Sequence, residues 1–381
     1  MAENPIFAID AQVRRLRANG ADIVALTAGE PQFPTRHAIV AAAQQAIADP
    51  ATHRYAPAAG TTELREAIAR QLPGATPWSV DEVLVTFGAK HALALAVAAI
   101  AGNDDEVIVI APGWPGHAAA VRAAGAAPVI AAADDKLRLP ISAVEAVTTA
   151  RTRAIIIASP ANPTGAVLGA GTIEAQREWA IDHDAWIISD DVYGALAFAG
   201  TVPHVLDEPT LRSRTIVVDS VSKEHAMTGW RVGWLAAPTQ IATYARDRLA
   251  ATVTNVPAAL QHAAIIALAD TAGPRQARDT YRARRDRLVA ALDDLPGVTC
   301  PSPDGGMFAF PHIRGILDHH GWNESAPLAA RFLDHGVAVV PGEAFNAPSH
   351  IRLCFGVDDD TLDTAIARLR TAVLTDLMKP A

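Results

Sequence analysis

The chain is poor in the residues on which disulfide-stapled, zinc-bound and nucleic-acid-binding proteins depend. Its 381 residues include two cysteines, Cys300 and Cys354, too few for a disulfide framework and without the spacing of a zinc site, so they are read as buried reduced thiols of a cytoplasmic protein. Basic residues are in deficit, 32 Lys and Arg against 41 Asp and Glu, for a formal net charge of -9. With no basic surplus, neither a nucleic acid nor an anionic membrane surface is an expected partner. The longest apolar run, Ala92–Ala101, falls far short of the roughly 20 residues that cross a bilayer. The stretch MAENPIFAIDAQVRRLRANG breaks its apolar positions with Glu3, Asp10 and a basic cluster from Arg14, so it lacks the core of a signal peptide. The expected location is the cytoplasm. There is no GxGxxG after a strand, no GxxxxGK[ST], no GxSxG and no HExxH, and hydride transfer on a dinucleotide fingerprint, P-loop chemistry, serine-elbow hydrolysis and zinc hydrolysis lose support. The 13 histidines show no ligand spacing, and no metal is expected.

What is present is enough apolar material for a large core: half of the residues are hydrophobic and 19% are charged. From residue 83 short β-branched runs alternate with longer helical patterns. Strands are read at Val83–Thr86, 106–110, 128–132, 154–158, 185–189 and Thr215–Asp219, with helices over 88–101, 115–124 and 172–183, and Trp230–Ala236 reads as a further strand. This βαβ rhythm implies an α/β fold with a mostly parallel sheet covered by helices on both faces. The arginine-rich amphipathic stretch 274–294, with Pro274 near its start, reads as a long helix and a domain junction. Beyond it the pattern is α+β: strands at Gly306–Phe310, Val337–Val340 and Ile351–Phe355, a helix over 325–335, and a last helix from 360. The expected division is a large domain over 46–273 and a smaller α+β domain built from 1–45 and 274–381.

Primary amines are scarce. The lysines are Lys90, Lys136, Lys223 and Lys379, and the tyrosines Tyr55, Tyr193, Tyr244 and Tyr281. Lys223 sits in Asp219-Ser-Val-Ser-Lys-Glu-His-Ala-Met-Thr-Gly-Trp-Arg-Val-Gly-Trp234, a hydroxyl-rich loop past a strand end. A lysine in the crevice at strand ends is placed for imine formation. Taken alone, a loop lysine is ordinarily a solvated charge.

The whole string SVSKEHAMTGWRVGW resembles the signature of class I aminotransferases, the fold-type I enzymes that use pyridoxal 5′-phosphate. The resemblance runs from about residue 22 to 356. It implies that Lys223 carries the cofactor covalently. In WIISDDVYGAL, Asp190 is similar to the aspartate on the pyridine nitrogen and Tyr193 to the tyrosine on the phenolic oxygen, with Asp191 where many relatives have Glu. In IIIASPANPTG, Asn162 is similar to the asparagine that donates to the phenolic oxygen. Gly88, Ala89 and Lys90 resemble the helix start that binds the 5′-phosphate, a task suited to open N–H groups, and Ser220, Ser222 and Arg231 complete that pocket by resemblance. Trp114 in VIVIAPGWPGH takes the place of the aromatic ring that stacks on the cofactor, and His117 departs from a frequent tyrosine. On the substrate side, Arg352 in Ile-Arg-Leu-Cys-Phe resembles the arginine that grips the α-carboxylate, and Gly29 in TAGEPQFP brings its backbone there, with Gln32 in place of the usual Asp. Trp114 and Asn162 border the substrate as well. Lys90 resembles a lysine that in some relatives contacts the distal carboxylate of acidic substrates, which points to glutamate or aspartate as donor. Tyr55 in RYAPAAGTTELR matches a tyrosine that reaches the partner subunit's phosphate, implying a homodimer with shared sites.

The function these readings imply is transfer of an amino group between an L-amino acid and a 2-oxo acid by a ping-pong mechanism. A lyase or oxidase on the same fold, and a non-catalytic ligand-sensing relative, are the alternatives. Turnover that depends on a 2-oxo acid, against release of pyruvate or ammonia, separates the first two.

Overall fold

A computed structural model of the chain describes residues 5–134 and 136–377, with the side chains of Pro5 and Phe7 left out of the description; Lys379 lies outside it. In chain order the strands are β1 (Val24–Ala25), β2 (Val83–Thr86), β3 (Glu106–Ala111), β4 (Ala127–Ala132), β5 (Thr152–Ala158), β6 (Trp186–Asp190), β7 (Thr215–Ser220), β8 (Gly233–Ala236), β9 (Phe308–Ala309), β10 (Val337–Ala338), β11 (Val340–Pro341) and β12 (Ile351–Cys354). Seven of them form the main sheet in the order β2-β8-β7-β6-β5-β3-β4. All neighbours pair in parallel except β8, which runs antiparallel to both β2 and β7.

Alternation along these strands builds two cores, because successive side chains of a strand point to opposite faces. Ile155, Ile157, Ile187 and Val217 join one, with helices His37–Ala48, Thr62–Ala69, Ala170–Asp182 and Ala258–Ala269 against it. Ile156, Ile188, Ile216 and Val218 join the other, beneath helices Ala89–Ile100, Pro115–Ala123 and Thr239–Thr252. A sheet buried on both faces reads as continuous apolar runs, which is why the strand rhythm was visible in the sequence.

A third core gathers Leu26 from the amino-terminal part with the helix Ala272–Asp293, the short strands β9, β10 and β12, and the helix Asp359–Ala372. Here the expected strands shorten. The run Val337–Val340 is two strands: β10 pairs with β1 in parallel, and β11 pairs with β12 antiparallel. The segment expected as strand from Trp230 begins instead with a 3-10 turn, Thr228–Trp230, and Arg231 in the left-handed region at φ 56°, so β8 starts at Gly233. No described helix is long and apolar enough to cross a membrane.

The fold matters to the site because neighbouring parallel strands end together. Ala158 of β5 lies opposite Asp190 of β6, and Ser220 of β7 faces Gly233 of β8, which also faces Thr86 of β2. A Cβ at Gly233 would stand 2.6 Å from the Ala89 amide and 2.7 Å from the Asp219 carbonyl oxygen, so only glycine lets the loop after β2 approach the end of β7.

Ile188 lies at the centre of β6 with none of its surface exposed. Ile188→Ala should destabilise by about 2–5 kcal/mol, as large-to-small core changes do, whereas Ile181→Ala, at a side chain 43% exposed, should stay within about 0.5 kcal/mol. Denaturant unfolding of the two variants checks this, and equal midpoints would contradict the placement of β6.

Candidate active site

The carboxyl ends of the parallel strands border a cavity of about 530 Å³. Each strand passes into the loop that supplies a lining residue: Trp114 after β3, Asn162 after β5, Asp190 at the tip of β6, and Ser220, Ser222 and Lys223 at and after β7. This is the crevice at the carboxyl edge where open α/β sheets bind ligands. Ala89, Lys90, Tyr193, Gly29, Arg231 and Arg352 line it too. Two of the expected residues do not. Gly88 lies behind the wall, and Tyr55 stands outside with 88% of its surface exposed.

Among the described lysines only Lys223 is held in a mostly enclosed position; Lys90 and Lys136 are exposed. Its Nζ donates to the Gly29 carbonyl at 2.6 Å. Burial pushes its pKa down to about 8, against an opposing pull from Glu30 and with a further downward push from Arg352 and Arg231. The lowered value gives Lys223 a far larger share of neutral amine near neutral pH than an ordinary lysine has, which is what a nucleophilic lysine requires.

The adjacent aspartates divide their work. Asp190 is 6% exposed, and its Oδ2 meets His117 Nε2 at 2.8 Å. Asp191 turns away, accepting from the Ser189 hydroxyl at 2.6 Å and meeting His204 Nε2 at 3.0 Å. Of the two, only Asp190 lines the cavity. His117 in turn meets the Trp114 ring edge-on, at a centroid distance of 5.4 Å. Tyr193 is buried beside them, edge-on to Phe308, and burial raises the pKa of its phenol, so the hydroxyl keeps its proton.

At the start of helix Ala89–Ile100 no side chain caps the first turn. The Gly88 N–H is taken by the Thr86 carbonyl at 2.8 Å, so the donors at the cavity wall come from the residues after it. Glycine at 88 serves shape: its φ is +77°, and a Cβ there would stand 2.7 Å from an Arg231 guanidinium nitrogen. That guanidinium donates to the Thr228 and Phe87 carbonyls at 2.9 and 3.1 Å. A helix start, the Ser220 and Ser222 hydroxyls and Arg231 make a set of donors that fits a phosphate.

Arg352 is 2% exposed. Nη2 donates to the Thr27 carbonyl at 2.6 Å and Nη1 to Asn162 Oδ1 at 3.1 Å, while Nε is buried with no hydrogen-bond partner. Burial lowers the pKa of this guanidinium. A buried donor left open beside a cavity fits a carboxylate ligand. Asn162 thus serves Arg352 through its oxygen, leaving its amide N–H groups to donate elsewhere.

Several lining residues escaped the sequence reading: Ile6, Asp10 and Arg14 on the helix Pro5–Ala18, Glu30, and Thr228. Glu30 adjoins Gly29 in the quoted motif, and its exposure gives it the look of a solvated loop acid. The helix residues carry no motif. Across the whole lining, five basic side chains face three carboxylates, so the cavity suits anions even though the chain is acidic.

Comparison with known proteins places this geometry. The family model for class I and II aminotransferases matches residues 21–369. An aspartate aminotransferase of Streptomyces avermitilis is 37% identical over 97% of this chain and 94% of its own length, and an arginine–pyruvate transaminase of Pseudomonas aeruginosa is 38% identical over 92% and 90%. The solved structure of the Thermus thermophilus aspartate aminotransferase with maleate superposes with a TM-score of 0.91 at 33% identity, covering 98% of this chain and 97% of that one. With a model match from residue 21 to 369 and relatives aligned nearly end to end, the chain belongs to the class I and II aminotransferases, enzymes that move an amino group between an amino acid and a 2-oxo acid.

Proposed function

We propose that this aminotransferase works with pyridoxal 5′-phosphate held covalently by Lys223, and that its amino donor is a dicarboxylic amino acid, aspartate or glutamate. The observation that carries the reading is the meeting, in one cavity, of a lysine with a lowered pKa, a buried aspartate, an arginine against the Gly88 turn and a second, buried arginine. When bound, the cofactor supplies an electron sink that acidifies the substrate's Cα–H. Asp190, its other oxygen fixed by His117, would keep the proton on the ring nitrogen. Trp114 would cover the ring face, and Tyr193 and Asn162 would donate to the phenolic oxygen. Arg231, Ser220, Ser222 and the Ala89–Lys90 helix start would hold the phosphate, and Arg352 the α-carboxylate near Gly29.

Lys223 then has two tasks. Its neutral amine would hold the cofactor, and the same Nζ, when free, would be placed to take the proton from the substrate's Cα and to return it, acting as general base and then general acid. Two half-reactions run in opposite directions give ping-pong kinetics.

A dicarboxylic donor is supported by the surplus of cations in the cavity, by Lys90 near the Trp114 face with Nζ 5.2 Å from the ring centroid, and by relatives named aspartate aminotransferase, one of them solved with maleate. A homodimer is part of the proposal. Tyr55 lies exposed and away from its own cavity, free to serve a second copy. The domain division is proposed with it: β1 pairs with β10 and Leu26 joins the third core, which supports building the smaller domain from both termini. Both cysteines are buried and free, which supports the expected cytoplasmic location.

Four experiments test this reading. Borohydride reduction of the holoenzyme and peptide mapping should put the cofactor on Lys223, and a label on Lys90 or Lys136 would overturn the assignment. Because burial favours the uncharged amine, the rate at which cofactor-free enzyme takes up pyridoxal phosphate should climb about tenfold per pH unit at low pH and level off above about 8. An inflection near the ordinary lysine value would contradict it. Asp190→Asn should keep the cavity's shape and slow the half-reaction by about 10²-fold or more, as loss of a key electrostatic partner does. Arg352→Lys should weaken every amino-acid donor by about 1–3 kcal/mol while sparing cofactor uptake, since the phosphate donors are untouched; a loss confined to acidic donors would show that Arg352 reads the side chain instead.

A further inference from the structure

We infer that Arg14, on the amino-terminal helix, is the residue that reads the distal carboxylate of the amino donor; this rests on the dicarboxylic reading above. The helix Pro5–Ala18 presents Ile6, Asp10 and Arg14 to the cavity, and residues four apart lie along one stripe of a helix. The stripe is anchored to the substrate end of the site. The Thr27 hydroxyl donates to Asp10 Oδ1 at 2.6 Å, and the Thr27 carbonyl accepts from Arg352 at 2.6 Å. Asp10 is therefore two hydrogen bonds from the guanidinium assigned to the α-carboxylate. Arg14 stands one turn further along, roughly 6 Å at 1.5 Å per residue, a distance its own flexible side chain can span.

The charges of the cavity point the same way. Among its cations, Arg352 has the α-carboxylate, Arg231 the phosphate and Lys223 the cofactor. Lys90 lies near the Trp114 ring. Of the carboxylates, Asp190 is engaged by His117 and Asp10 by Thr27, and Glu30 acts on Lys223. Asp10 and Arg14 are spaced to pair along the helix, yet Asp10 is turned to Thr27. Among the described residues Arg14 has no hydrogen bond, ion pair or ring contact. An unpartnered guanidinium bordering a ligand cavity offers the planar fork that matches a carboxylate. Because the contact lies at the substrate's far end, Arg14 governs specificity and stays out of the proton transfer.

The test is a set of single-turnover half-reactions with holoenzyme, followed by cofactor absorbance, using aspartate, glutamate and alanine as donors. Arg14 is exposed, so its variants should fold. Arg14→Gln should lower kcat/KM for aspartate and glutamate by about 10- to 100-fold, the scale of one charged hydrogen bond, mostly through weaker binding, and leave alanine within about twofold. Arg14→Lys should recover part of the loss. Succinate, titrated by the same absorbance, should bind more weakly to Arg14→Gln by a similar factor. Equal losses for alanine, or no loss for the acidic donors, would overturn the assignment. A wild-type enzyme that turns over alanine and rejects both acidic donors would instead overturn the dicarboxylic reading beneath it.

Discussion

A guanidinium buried between two phenylalanine rings sets the terms for the rest of this structure. Arg352 Cζ lies 4.4 Å from the Phe308 ring centroid and 4.9 Å from that of Phe345, and its two hydrogen-bond acceptors, Thr27 and Asn162, are neutral. Removing a charge from water costs several kcal/mol unless it is paired, and among the described residues no carboxylate stands within hydrogen-bond reach of it. The fold bears that cost by assembling distant pieces of chain around one residue. Thr27 follows β1, Asn162 follows β5 of the main sheet, and Arg352 belongs to β12. Relief comes from a ligand: a carboxylate meeting the open Nε would compensate the charge the protein leaves exposed to the cavity. The same burial depresses Lys223, so the cost of desolvation is converted into reactivity.

Asp190 shows the opposite solution. This residue is 6% exposed and His117 satisfies one oxygen of its carboxylate; in the proposed arrangement the other oxygen would face the protonated ring of the cofactor. Trp114, edge-on to His117, ties the ring-covering residue to the residue that orients the aspartate. A change at His117 would therefore disturb both Asp190 and Trp114, the floor and the cover of the proposed cofactor site.

The main sheet was legible because strands buried on two faces appear as unbroken β-branched runs such as Ile155-Ile156-Ile157. Direction was not: the run that became β8 carries no sign that it lies antiparallel between β2 and β7, since burial on both faces looks the same either way. Val337–Val340 misled for a related reason. A single apolar run can change partner at its middle, and pairing is a tertiary fact. In the site, Lys223, Asp190 and Trp114 were legible because strand-end positions combine with long ordered motifs. Gly88 was read as a donor, but its amide closes the turn and its lack of a Cβ makes room for Arg231. Asp10 and Arg14 were illegible, because a charged residue on an amphipathic helix looks solvent-facing until the wall opposite it is known.

That asymmetry separates two kinds of work in the molecule. The groups proposed to act on the cofactor stand on strand ends of a sheet packed on both faces, where small displacements are resisted by close packing. The residue proposed to face the far end of the substrate stands on a surface helix tied to the site through the hydrogen bond between Asp10 and Thr27. Substitutions at exposed positions of that helix, such as Arg14, can change charge without disturbing the cores that Ile6 and Val13 join, whereas the same change at Asp190 would strand its buried partner His117. Relatives that share 37% and 38% identity with this chain are named for aspartate and for arginine, a spread that fits the proposed division, in which the sheet would hold the chemistry and exposed residues of the helix would set the choice of substrate.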